Sequence, residues 1–146
     1  HYPDYYMPGG ITLSEDEIGA VNAELFRQLF QPELEYLSQR YGGIGIHCCA
    51  DARHHWSALK SIPGLKLLNL VRPPIRGVEY IKDAYAFFRD TCAQMHGGWS
   101  LEAPVEKWPE QFPSGARIVL EISAGSLDEA KGLAERLRNL FGKYGA

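Results

Sequence analysis

Gly43-Ile44-Gly45-Ile46-His47-Cys48-Cys49-Ala50-Asp51 is a short apolar run that ends in His47-x-Cys49, just where the chain must turn. Its composition and its flanking glycines predict a buried strand over residues 44–49. Alternate residues of a strand share one side, so the His47 imidazole and the Cys49 thiol face the same way. Cys48 alternates with them and is expected to face covering helices as core. In parallel α/β sheets, ligands and chemistry gather at the C-terminal ends of strands. Imidazole and thiolate both favour zinc or a similar borderline-soft ion. Two ligands are too few for a site, so neighbouring elements must supply the rest.

Upstream, residues 1–9 read as loop or tail, and 11–13 as a short strand. Ser14-Glu15-Asp16-Glu17 follows that strand and suits either a helix start or the rim of a site. Asn22 is a good N-cap for a helix running to about Tyr41. Leu25, Phe26, Leu29, Phe30, Leu34, Leu37 and Tyr41 recur in it at helical spacing. Pro32 should kink that helix or split it, and Gly42-Gly43 should end it.

Downstream, 53–61 reads as a short helix with Trp56, Leu59 and Ile62 inward and His54 and His55 exposed in its first turn. Residues 65–71 form a third strand, stopped by Arg72-Pro73-Pro74. A helix is expected over 78–94, with Ile81, Tyr85, Phe88 and Cys92 on or near one face. Residues 97–115 read as irregular, with His96 in a loop beside them. A fourth strand is expected over 117–123. Ser126-Leu127-Asp128-Glu129 is a capping-box signature, opening a last helix with Leu133, Leu137, Leu140 and Phe141 on its apolar face. The β-α-β-α-β-α-β-α order implies one α/β domain over 1–146, with a four-stranded parallel sheet and crossover helices.

The chain has 146 residues, 45% apolar and 23% charged, ordinary for one globular domain. A net charge of −3 with no basic stripe gives no case for a nucleic-acid partner. No apolar run reaches the length of a membrane span, so no membrane partner is expected. The cysteines number three and two are adjacent, which argues against a disulfide framework and for a reducing, cytoplasmic setting.

Four segments resemble a known family. Ile11-Thr12-Leu13-Ser14-Glu15-Asp16 looks like its "iS-x-S-D-D" strand end. Residues 23–34, with Pro32 in place, look like its "pelY-x-e-f-x-x-Py" helix. Tyr41 through Ala50 look like its "fGG-v-x-l-H-S-C-G" strand, and Ile62-Pro63-Gly64-Leu65 matches "iPGL". The family is the uroporphyrinogen decarboxylase-like superfamily, which includes zinc-dependent, corrinoid-linked methyltransferases. The likeness is dense over roughly residues 9–70.

The resemblance implies parallel βα repeats forming the C-terminal half of a TIM-like (β/α)8 barrel. Half a barrel leaves two parallel edges and an apolar interior, so a homodimer or a separate first half-barrel is expected to close it. By the same resemblance, His47 and Cys49 are zinc ligands, and zinc turns an acceptor thiol into the thiolate that takes a methyl group. The methyl donor is then a corrinoid on a partner protein. The family's later cysteine, in a Gly-Cys turn, is replaced here by Ser123-Ala124-Gly125. Glu121 or Asp51 is the expected substitute ligand; His54 and His55 also follow the motif closely, and Cys92 is expected to pack in the core. Ala50 stands where the family has glycine. The other readings are a tetrapyrrole decarboxylase relative and a non-catalytic half-barrel that binds a partner.

Overall fold

Five short strands make one parallel sheet: β1 (Ile11–Ser14), β2 (Ile44–Cys48), β3 (Leu65–Leu70), β4 (Ala93–His96) and β5 (Ile118–Leu120). The computed structural model describes residues 7–71, 77–96 and 105–142. Strands lie side by side in chain order, β1-β2-β3-β4-β5. Between them run α1 (Ala23–Leu25), α2 (Gln31–Tyr41), α3 (Trp56–Ser61) and α4 (Gly77–Phe88), and α5 (Leu127–Phe141) follows β5. A parallel sheet that advances in chain order steps the same way at every crossover, so right-handed crossovers put the helices on one face.

Ile44, Ile46 and Cys48 of β2 and Leu68 and Leu70 of β3 point to that face. There they pack with Phe26, Leu34, Trp56, Leu59, Ile81 and Phe88 in the main core. The alternate residues Gly45, His47, Leu67, Asn69 and Met95 share the opposite face, as the register pairs Gly45 with Leu67 and His47 with Asn69. That face is not bare: Met7 packs against Leu67 and Met95, and all three are buried.

The expected first helix is divided. Asn22 caps it, its side chain accepting from the Leu25 N–H at 2.9 Å. Pro32 has no N–H to offer the preceding turn and its ring crowds that turn's carbonyl. A single π turn over Phe26–Phe30 absorbs the mismatch: the Gln31 N–H reaches back to the Phe26 carbonyl, and Pro32 stands in the first turn of α2, where no N–H is required. Gly42 ends α2 in the left-handed region, at φ 80°.

The sheet has five strands where four are expected, because the helix predicted over 78–94 stops at Phe88. A turn follows, closed by Thr91 N–H to the Phe88 carbonyl at 2.9 Å. Ala93–His96 then enters the sheet between β3 and β5. Cys92 is therefore not helical, and His96 lies on a strand rather than in a loop. The last strand is shorter than the predicted 117–123. Ser126 caps α5 as the sequence predicts, accepting from the Glu129 N–H at 3.2 Å. Among the described residues no helix is long and apolar enough to cross a membrane. The expectations for residues 1–6, Arg72 and 97–104 fall outside the described residues.

Candidate metal centre

The β1–β2 register pairs Ser14 with His47. The Glu15 N–H extends the ladder by one bond, to the His47 carbonyl at 2.9 Å. The chain then turns into a 3-10 helix, Asp16–Ala20, with Asp16 at its first position. Two residues past Ser14 therefore meet two residues past His47. Asp16 Oδ1 accepts from the Cys49 N–H at 2.8 Å and lies 3.4 Å from His47 Nε2. One ligand atom each from Asp16, His47 and Cys49 can be chosen so that all lie within 4.8 Å of one another. Among the described residues this is the group of three His, Cys, Asp or Glu side chains able to hold a metal ion.

His47 is buried, Cys49 is exposed, and the Asp16 side chain is 33% exposed. The cluster thus has a closed floor and an open mouth. At the floor, His47 Nδ1 lies 2.7 Å from Asn69 Oδ1.

The charges of the cluster oppose one another. Burial, the largest effect on Asp16, pushes its pKa up, but the Cys49 N–H and thiol, His47 and Ser14 together bring it below the usual value. The Cys49 thiol is pushed up, first by its hydrogen bond to Asp16, then by burial and by the Asp16 charge. A proton on sulfur thus sits beside a carboxylate. A cation in that proton's place satisfies both groups.

The 3-10 segment carrying Asp16 is held from behind. His55 is fully buried, not exposed as its position predicts, and its Nε2 lies 2.9 Å from the carbonyls of both Ile18 and Val21. Its ring stacks on Phe26 with centroids 4.4 Å apart. The Ile18 carbonyl already accepts from the Val21 N–H at 3.1 Å, and His55 adds a second donor to the end of the segment. His54 is exposed and its Nε2 also reaches the Val21 carbonyl, at 2.8 Å. A Cβ on Gly19 would collide with Ala50, so this segment lies directly on the exit of β2.

Neither substitute ligand joins the cluster. Asp51 Oδ1 accepts from the Arg53 N–H at 3.2 Å, within its own turn. Glu121 is exposed just past β5, where its N–H bonds the His96 carbonyl at 3.0 Å. Cys92 is buried in the core, with burial pushing its thiol to about 12, and Cys48 likewise to about 11. Both are packing thiols, as expected. Asp16 is the ligand candidate that the strand motif does not point to. Its signal is the register between two strands, which neither strand carries alone. No family model, curated protein or solved structure matches the chain.

Proposed function

We propose that Asp16, His47 and Cys49 bind a zinc ion. We further propose that the chain is the C-terminal part of a (β/α)8-type barrel of the uroporphyrinogen decarboxylase-like superfamily, working in methyl transfer to a thiol. The observation that carries the zinc reading is the convergence of three donor atoms at the C-terminal ends of β1 and β2. Tetrahedral zinc holds such atoms roughly 3.3–3.8 Å apart. The Asp16–His47 separation of 3.4 Å is already in that range. Nitrogen, oxygen and sulfur donors suit zinc, and three protein ligands leave a position open for substrate.

Bound there, zinc would lower the pKa of an acceptor thiol and leave it a thiolate at neutral pH. The chain's own groups prepare that site. Asp16 supplies a negative charge, His47 a buried ring nitrogen, and Cys49 a thiol whose proton leaves when metal enters. The methyl donor in this reading is a corrinoid on a partner protein. Five strands from each of two copies make ten, so an eight-stranded ring takes three further strands from elsewhere on the same or another chain.

Elemental analysis of protein purified without chelators, followed by zinc titration, tests the metal. Zinc near one per chain is expected. Cys49→Ser and Asp16→Asn should each lose more than the roughly 10–100-fold in affinity that outer-shell changes cost, with circular dichroism unchanged. Full zinc content in Cys49→Ser, or no uptake by the unmodified chain, overturns the reading.

A further inference from the structure

We infer that Asn69 is a positioning residue that selects which ring nitrogen of His47 faces the cluster. His47 Nδ1 lies 2.7 Å from Asn69 Oδ1. Two acceptor lone pairs repel at that distance, so one of the two atoms must carry a proton, and an amide oxygen carries none. The amide orientation is set in turn by β4. Asn69 Nδ2 lies 3.5 Å from the Met95 carbonyl and donates to it. Flipping the amide would aim its oxygen at that carbonyl and lose the bond. Nδ1 therefore holds the proton, and Nε2 turns its lone pair to Asp16 and Cys49.

The choice is not trivial, because Asp16 Oδ1 competes for the same proton from 3.4 Å on the other side of the ring. Asn69 makes the shorter contact, and its amide is held by the Met95 carbonyl. Both Asn69 and His47 are buried. Removing the Asn69 acceptor tips the balance toward Asp16, and the proton moves to Nε2, the atom a metal needs bare. The consequence for metal affinity rests on the zinc reading above; the tautomer does not.

The test is nitrogen-15 NMR of histidine-labelled, metal-free protein at about pH 8, where an ordinary histidine is neutral. His47 is expected with Nδ1 protonated. Asn69→Leu, similar in size but without an acceptor, should shift the proton to Nε2, whereas Asn69→Asp should keep it on Nδ1. Zinc titration should show Asn69→Leu weakened about 10–100-fold and Asn69→Asp largely rescued. An Nε2-protonated His47 in the unmodified chain overturns the inference, and that measurement needs no variant to fold. An unchanged tautomer in Asn69→Leu overturns it as well. A tautomer that shifts as expected in a chain that takes up no zinc supports Asn69's role and removes the metal reading alone.

Discussion

The Asp16 carboxylate faces a backbone N–H, a thiol and an imidazole nitrogen at once. Its position depends on a residue far along the chain, because His55 grips the carbonyls of Ile18 and Val21 that follow Asp16. His55→Phe keeps an aromatic ring over Phe26 and removes the donor. It should cost about 0.5–1.5 kcal/mol, the net worth of a hydrogen bond whose acceptors keep the Val21 N–H and His54 as other donors. Urea unfolding measures that loss, and a variant as stable as the parent would mean the imidazole serves only as a ring. His54 makes the useful contrast: it is exposed, so His54→Phe should change stability by less than about 0.5 kcal/mol.

The elements show where local sequence decides and where it yields. Gly42 ends α2 at φ 80°, a region that costs a side chain steric strain. Gly42→Ala should therefore destabilise by about 1–2 kcal/mol, read as a lower urea midpoint with an unchanged slope. An unchanged midpoint would mean that the cap tolerates another backbone conformation. Such positions, together with the Asn22 cap and the fully buried β2, are legible because their cause lies within a few residues. The strand β4 is not. Ala93, Gln94 and Met95 favour helix, and Tyr85, Phe88 and Cys92 continue a helical spacing into them. Pairing on both sides, with Leu67 and Leu68 and with Ile118, Val119 and Leu120, overrides that local preference. The site divides in the same way. His47 and Cys49 are visible as a strand-end pair, but Asp16 becomes a partner only through the β1–β2 register, and His55 becomes buried only when the 3-10 segment folds over it.

At the scale of the whole molecule, the helix-side core encloses ionisable groups whose neutral form the fold prefers. His96 ends β4 inside the layer between sheet and helices, with the Tyr85 hydroxyl 2.8 Å from its Nδ1. Burial pushes its pKa from 6.5 to about 4. Burial likewise lowers that of His55, helped by the charge of neighbouring His54. A histidine with a lowered folded pKa is protonated more readily in the unfolded chain, so acid favours unfolding. The His96 contribution is complete above its unfolded value of 6.5 and drains away as pH falls from there toward 4. Between pH 7 and pH 5 that linkage amounts to about 2 kcal/mol for His96, and His55 adds to it with the same sign. Urea midpoints of metal-free protein should therefore drop on this acidification. His96→Gln keeps a polar side chain beside Tyr85 but cannot titrate, so its midpoint should fall by distinctly less. An equal fall in both proteins would place the acid sensitivity elsewhere, with His55→Phe as the next variant to titrate.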